Sequence, residues 1–364
     1  MWYYFKLALS HPCKMVQLVA KRILRGMKFD YHFMHGRSLF PETVIVCPSM
    51  RCNFRCAMCY AKKACGVDAS IQKELSLEEY HVLINQIAGF SSILSFGGGE
   101  PLIRDDVSDM IRYAKSRGLI CNLATNGGLL TERVAEDLIK AGLDFISISL
   151  DSSHLAGANE DNVDSSSAVT GLINMLNVRA RIRSAYPRVN VSCHIDLEDD
   201  LRVPKRILGL FQELRWDKLS FYPVHFYMES LPSEQKDFIE RYQYSGEPFG
   251  VKLPDNYTFI SNKIEQYIEF LDNAKKNKNV DVYKNADHAF YRKYFSSMPF
   301  DVKYCNSLYS GMLIDAYGEV FLCHNYSLGN VRTQRLSEIW NSDRAVKFRI
   351  LRKSRPHPIC FRCS

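Results

Sequence analysis

The 364-residue sequence has no uninterrupted apolar run of about eighteen residues, the length a helix needs to cross a bilayer, so a helical membrane span is excluded. No small-residue cleavage site follows the apolar start MWYYFKLALSHPCK, which Lys6 interrupts, so a secretory signal is not expected and the compartment read from the sequence is the cytoplasm. Arg/Gly and basic–aromatic repeats are missing too, and the formal charge is only +7. The basic residues gather near the ends, at Lys14, Lys21, Arg22, Arg25 and Lys28, and at Arg344, Lys347, Arg349, Arg352, Lys353 and Arg355. They read as solvated surface, with no nucleic-acid partner. Tryptophan is scarce at three, but 21 Phe, 20 Tyr and 46% hydrophobic residues suffice for one large domain and a smaller one.

Cysteine, by contrast, is abundant: twelve residues, unevenly placed. Without secretion, disulfides are disfavoured and metal or redox roles are favoured. Residues 52–59 read CNFRCAMC, placing Cys52, Cys56 and Cys59 at C-x3-C-x2-C. A site that serves only structure takes four protein ligands, whereas three leave a position open for chemistry. A second group comprises Cys305, Cys323 and the terminal Cys360 and Cys363, four thiolates that would close a site. For the first group the alternative is a zinc knuckle lacking its fourth ligand; for the second it is a zinc ribbon.

From about residue 43 short apolar runs alternate with helical periods. The strand candidates are 43–47, 92–96, 119–125, 144–150, 188–195 and 218–224, with helices near 76–88, 105–117, 131–141, 166–184 and 204–214. Repeated strand, crossover helix and strand predicts a parallel α/β sheet curling toward a barrel. Residues 2–28 read as an amphipathic helical segment divided by Pro12, either packed on the main domain or resting on anionic lipid. After 228 the rhythm breaks. One helix is expected over 257–277, a hairpin turns at Ala316-Tyr317-Gly318, and a helix follows over 336–353. The expected units are therefore 1–42, 43–228, an insert over 229–304 that shapes the pocket, and 305–364.

The cysteine triplet lies at the carboxyl end of the first strand, where parallel α/β folds place their sites. The second strand ends in FGGGEPL, residues 96–102. Gly97, Gly98 and Gly99 let backbone approach a ligand with exposed amides, and Glu100 offers a carboxylate to an ammonium group. The pairing of CNFRCAMC with FGGGEPL resembles the radical S-adenosylmethionine superfamily. That resemblance implies a partial (β/α)6 TIM-type barrel and a 4Fe–4S cluster whose open iron binds S-adenosyl-L-methionine. It also implies reductive cleavage to a 5′-deoxyadenosyl radical that abstracts hydrogen from a substrate carbon. Asn126 in Thr125-Asn126-Gly127, and Ser149 and Asp151 after Ser147, fall at family cofactor positions, with strand-end capping as the alternative for each. Met58 stands where the family usually has an aromatic residue before the third cysteine; its thioether can make a similar apolar contact.

C-x12-G-x4-C from Cys305 through Gly318 to Cys323, then GNV at 329–331, LSEIW at 336–340 and the closing CFRC, resembles the SPASM/twitch extension. The small α+β unit over 305–364 is expected to hold one auxiliary 4Fe–4S cluster through Cys305, Cys323, Cys360 and Cys363. The sequence ends at Ser364 without the further cysteines of the full SPASM form, so the shorter twitch form is expected. The pattern is similar to that of a twitch-type dehydrogenase acting on a sugar-like alcohol. A fully ligated cluster suits electron transfer, which favours oxidation of a sugar- or polyol-like small molecule, lipid-linked substrates included. His194, Asp196 and His225 are the candidate general bases, each with packing or capping as its alternative. Cys193 would quench a product radical in an epimerase but reads better as a small buried hydrophobe. Peptide maturation is the other enzymatic alternative, lowered because residues 1–42 are short for a leader-binding domain. An iron–sulfur assembly or electron-transfer protein is the non-enzymatic one. The expected partners are the small-molecule substrate, an external one-electron donor such as flavodoxin or ferredoxin, and a peripheral contact of residues 2–28 with the inner face of a membrane.

Overall fold

The computed structural model describes residues 12–56, 59, 73–151, 166–196, 201–228, 251–254, 257–283, 287–296, 304–323 and 326–354. Helices α1 (Pro12–Gly26) and α2 (Phe29–Phe33) precede β1 (Thr43–Val46). There follow α3 (Leu77–Ala88), β2 (Ile93–Phe96), α4 (Val107–Ser116), β3 (Ile120–Thr125), α5 (Glu132–Lys140) and β4 (Phe145–Ser149). Next come α6 (Ser167–Arg181), β5 (Arg188–Ile195), α7 (Arg202–Leu214) and β6 (Lys218–Pro223). The rhythm then loosens into β7 (Phe226–Met228), β8 (Val251–Leu253), α8 (Ser261–Lys275), β9 (Val280–Val282) and α9 (His288–Tyr294). A closing unit holds α10 (Ser307–Ser310), β10 (Gly311–Ile314), β11 (Glu319–Cys323), β12 (Tyr326–Asn330), α11 (Leu336–Trp340) and α12 (Asp343–Ser354).

Local chemistry sets these boundaries. Ser76 and Glu79 form a reciprocal capping box at the start of α3, and Thr131 and Ser166 accept N–H groups at the starts of α5 and α6, satisfying donors a helix cannot pair internally. In the strands, alternate residues sink completely: Val44, Val46, Leu94, Phe96, Leu123, Ile146, Ile148, Val189, Val191 and Phe221 form the core under the helices. Period-two alternation sends their neighbours to the other face. That inner face is polar, with Ser95, Asn122, Ser147, Ser149, Asn190, Ser192 and His194 half-buried along four strands.

Among the described residues ten strands form one sheet, ordered β12-β11-β10-β1-β2-β3-β4-β5-β6-β9. Strands β1 to β6 are parallel neighbours in chain order, the partial (β/α)6 barrel expected from the sequence. Two additions were not expected. Strand β9 extends the sheet in parallel beyond β6, out of a segment read as helical insert. At the opposite edge β10 pairs in parallel with β1, from Thr43↔Gly311 to Val46↔Ile314. The closing hairpin thus covers the edge of the barrel sheet instead of forming a sheet of its own, which removes a row of unpaired backbone groups. The long terminal helix expected over 336–353 is two helices, α11 and α12.

The amino-terminal segment is bound at two places. Lys21 donates to the Phe90 carbonyl, and Arg22 pairs with Glu42 at 2.7 Å, holding the basic side of α1 on the barrel. Val16, Val19, Ile23 and Met27, spaced three and four residues apart, remain exposed along it. Residues 36–39 lie against the terminal helices. Ser38 and Asn341 exchange two hydrogen bonds of 2.9 Å, and the Trp340 indole donates to the Leu39 carbonyl at 2.9 Å. Arg349 is fully buried. Its guanidinium donates to the carbonyls of Leu308, Trp340 and Gly36 at 2.9, 3.0 and 3.2 Å, and lies 4.3 Å from the Trp340 ring centre. Burial pulls its pKa down to about 10, so it remains charged at neutral pH.

Two stability predictions follow from the closing unit. Arg349→Met strands three carbonyls and should lower unfolding free energy by on the order of 3 kcal/mol in urea titration. Asp315, whose carboxylate accepts the Tyr317 and Glu319 amides at 2.9 and 2.8 Å, is pushed up from 3.8 to about 6 by burial. A folded pKa above the unfolded one means the fold holds the proton more tightly, so stability falls as pH rises through that window. Asp315→Asn should abolish this loss, gaining up to about 3 kcal/mol on the wild type between pH 4 and pH 7.

Candidate functional site

Three loops meet at the carboxyl ends of β1, β2 and β3. The first carries Cys52, Cys56 and Cys59; the second is Gly97–Glu100; the third begins at Asn126. Glu100 joins the second to the third. It is fully buried, and its Oε1 accepts the Thr125 hydroxyl at 2.8 Å and the Leu102 amide at 3.0 Å, while Oε2 accepts the Asn126 amide at 2.8 Å. The carboxylate read from the sequence as facing a ligand ammonium is therefore occupied by the protein's own donors.

The glycines also differ from the sequence reading. The Gly97 and Gly99 amides donate to the carbonyls of Val46 and Ser49 at 2.9 and 3.1 Å, and the Glu100 amide donates to Arg51 at 2.8 Å. These amides anneal the second loop to the chain leading into Cys52 and are not presented to a ligand. Side chains are excluded for the same reason. A Cβ on Gly99 would stand 2.3 Å from the Arg51 carbonyl oxygen, and one on Gly98, at φ +103°, 2.5 Å from the Cys47 Cβ. A Cβ on Gly97 would find only ordinary contacts of about 4 Å with Ile45 and Ala124, so this glycine faces the inner side of the barrel.

The third loop reaches back to the first. The Asn126 carboxamide donates to Asn53 Oδ1 at 2.8 Å and to Cys52 Sγ at 3.7 Å, and accepts the Gly128 amide at 2.8 Å. The Phe54 amide donates to the same sulfur at 3.4 Å. Cys52 is the most exposed of the three, yet the surrounding loop removes enough water to push its thiol pKa up, opposed by the Phe54 N–H and reinforced by Glu100, Cys56 and Cys59. Behind the loop, α6 comes close enough that a Cβ on Gly171 would sit 2.1 Å from the Gly127 carbonyl oxygen.

This donor set suits an iron–sulfur cluster. N–H groups aimed at sulfur suit a thiolate, which accepts hydrogen bonds only. In the closing unit, Cys305 precedes α10 and Cys323 ends β11, both half-buried; Cys360 and Cys363 lie outside the described residues, as does Met58.

The remaining candidates gather at the same end of the sheet. Ser149 ends β4 and faces inward; Asp151, just beyond it, is buried. His194, near the end of β5, stacks on Tyr222 of β6 at 5.4 Å between ring centres. His225, after β6, has Nδ1 3.3 Å from the Tyr294 hydroxyl. Asp196 follows β5, half-buried. Cys193 lies on the other side: it is fully buried among core residues, and burial pushes its thiol pKa well up, so its side chain packs beneath the helices as the small hydrophobe expected. Sequence reading missed Asn53, whose position between cysteines carries no spacing signal, and Tyr294, which reaches His225 from the irregular region.

Residues 46–156 match the Radical SAM superfamily and residues 305–364 match SPASM, an iron–sulfur cluster-binding domain. The Fe-coproporphyrin III synthase of Methanosarcina barkeri is 38% identical over 102 residues, which is 28% of this chain and 25% of that one. The chain's match thus spans a quarter of that relative. The tungsten-containing aldehyde ferredoxin oxidoreductase cofactor-modifying protein of Pyrococcus furiosus is 24% identical over 86% of this chain and 85% of its own. Among solved structures, Streptococcus suis SuiB bound to its precursor peptide SuiA superimposes with a TM-score of 0.58 at 16% identity, over 92% of this chain and 70% of that one. The chain bound to S-adenosylmethionine called anSMEcpe gives 0.54 at 15% identity, over 85% and 83%. Residues 46–156 thus carry a Radical SAM domain and residues 305–364 a SPASM-type iron–sulfur domain. The chain's cofactors are S-adenosylmethionine, a 4Fe–4S cluster and an auxiliary iron–sulfur cluster.

The buried carboxylate gives a direct test. In Glu100→Gln one oxygen becomes an NH2 group facing either Asn126 N–H or Leu102 N–H, so two donors oppose each other in a buried place. Stability of the cluster-free protein should fall by about 1–3 kcal/mol, measured by urea unfolding under reducing, chelating conditions.

Proposed function

We propose that the enzyme oxidises a neutral, hydroxyl-bearing small molecule of sugar or polyol type. The observation that carries this reading is the inner face of the sheet. The Asn122 amide donates to Ser95 at 2.8 Å, and the Ser220 hydroxyl donates to Asn190 at 3.2 Å. With Ser147, Ser149 and Ser192 these groups form a surface of uncharged donors and acceptors, apt for hydroxyls and poor for carboxylates or phosphates. The inward-facing cations at the far ends of the strands are already paired, Arg188 with Asp217 at 2.9 Å and Lys218 with Asp281 at 2.5 Å.

In this reading Cys52, Cys56 and Cys59 hold the 4Fe–4S cluster, and Cys305, Cys323, Cys360 and Cys363 hold the auxiliary one. Gly97, Gly98, Gly99, Glu100, Asn126, Ser149, Asp151 and Met58 make up the S-adenosylmethionine site, some by contact and some by fixing the loops. When bound, these cofactors supply a 5′-deoxyadenosyl radical that abstracts hydrogen from a substrate carbon, and an acceptor for the electron left behind. The protein must take the accompanying proton. His194, Asp196 and His225 stand at the mouth for that role, with the Tyr294 hydroxyl 3.3 Å from His225 Nδ1. An external one-electron donor of the flavodoxin or ferredoxin kind completes the cycle. The exposed stripe Val16, Val19, Ile23 and Met27, within a 29-residue amino-terminal stretch holding six Lys or Arg and no acidic residue, supports a peripheral contact with anionic lipid.

A second reading, modification of a peptide or of another protein's cofactor, is favoured by the match to the Pyrococcus cofactor-modifying protein over 86% of this chain and 85% of that one. The two separate experimentally. Anaerobically reconstituted, dithionite-reduced protein should form 5′-deoxyadenosine from S-adenosylmethionine, and Cys52→Ala should form none. Under the first reading, polyols and aminocyclitols should raise that yield several-fold with products two mass units lighter. Stimulation by peptides and not by polyols would install the second reading. Absence of 5′-deoxyadenosine under strong reduction would remove both.

A further inference from the structure

Asn126 was assigned to the S-adenosylmethionine site by its place after β3, yet its geometry gives it a second task. Its carboxamide has a determined orientation. Oδ1 accepts the Gly128 amide at 2.8 Å, so the NH2 group must point the other way, toward Asn53 Oδ1 at 2.8 Å and Cys52 Sγ at 3.7 Å. The backbone of the same residue is tied to buried Glu100 at 2.8 Å, and the residue as a whole is buried. Amide flips are often ambiguous; here the network settles the choice.

The sulfur is thus met by two N–H donors, from Phe54 and from Asn126. As a thiol, Cys52 can also donate, and Asn53 Oδ1 stands 3.9 Å away to accept. As a metal-bound thiolate it loses that proton and accepts only, so the Asn126 and Phe54 N–H groups become its hydrogen-bond partners. Hydrogen bonds to cluster sulfurs stabilise the form with more negative charge and so raise the reduction potential.

We infer that Asn126 is a positioning residue that raises the reduction potential of the Cys52-ligated cluster by donating to Cys52 Sγ, with Asn53 holding its amide in place. The inference rests on the proposed ligation of a 4Fe–4S cluster by Cys52, Cys56 and Cys59. It links the third loop to the ease with which the cluster takes its electron, apart from any contact with the cofactor. Asn53→Ala, which removes the acceptor but leaves the donor, should lower the potential, by less than removal of the Asn126 carboxamide does.

The test is a redox titration of the full-length reconstituted protein followed by electron paramagnetic resonance. The relevant cluster is recognised as the signal whose shape changes on adding S-adenosylmethionine. Asn126→Ala and the near-isosteric Asn126→Asp should both move its midpoint to more negative potential, the Asp variant further because it adds charge as well as removing a donor. The auxiliary signal should not move. Midpoints equal to wild type in loaded variants would overturn the inference. So would variants that keep the native circular dichroism but take up no iron at that site, since a residue that only tunes potential is not needed for assembly. If the wild type itself shows no cluster that responds to S-adenosylmethionine, the proposed function fails first, and that outcome is read before any variant is made.

Discussion

One carboxylate with no access to water holds the candidate site together. Glu100 satisfies the Thr125 hydroxyl and the Leu102 and Asn126 amides, and a charged acceptor in a low-dielectric place makes such bonds strong and their loss costly. Through Asn126 the constraint passes to Asn53 and Cys52 in the first loop. Residues 51–53 of the cysteine loop are therefore tied to neighbours on the second and third loops. Gly98 and Gly99 serve the same end by allowing backbone to lie directly against residues 47–51.

The division of the sheet into two faces is the second organising feature. The face under the helices is aliphatic and fully buried; the inner face carries hydroxyls and carboxamides that bond to one another across strands. An apolar inner face would have given a tighter barrel and a stable fold without a polar chamber. Keeping serines and asparagines there commits the protein to satisfying them, by one another or by a ligand.

The edges of this sheet tie the two iron–sulfur regions into one body. Because β10 pairs with β1, the strand that ends near Cys323's hairpin is hydrogen-bonded to the strand that leads to Cys52. Residues 36–39 clasp α11 and α12 through Ser38, Leu39 and Arg349 contacts, so the segment preceding β1 also depends on the closing unit. A SPASM-type unit placed this way is fixed relative to the barrel by backbone pairing.

Much of this was legible in the residues. The six parallel strands lie within one residue of their expected bounds at every boundary, because each is a short apolar run and the segments between them carry turn or cap residues such as Ser76, Thr131 and Ser166. The hairpin turn at Gly318 followed from spacing. What could not be read was whatever depended on contacts distant in sequence. Strand β9 is three residues long and gains its identity only from pairing with β6. The hairpin's place at the edge of β1 joins residues 43–46 to 311–314. Glu100 and the glycine amides were assigned to a ligand because the chain alone does not show that Thr125, Asn126, Val46 and Ser49 stand beside them. Sequence by itself determined the local elements, the cysteine spacing and the cofactor class, since these rest on interactions within a few residues. Tertiary structure alone decided which donors and acceptors were already taken, because hydrogen-bond satisfaction is settled by neighbours the linear order does not reveal.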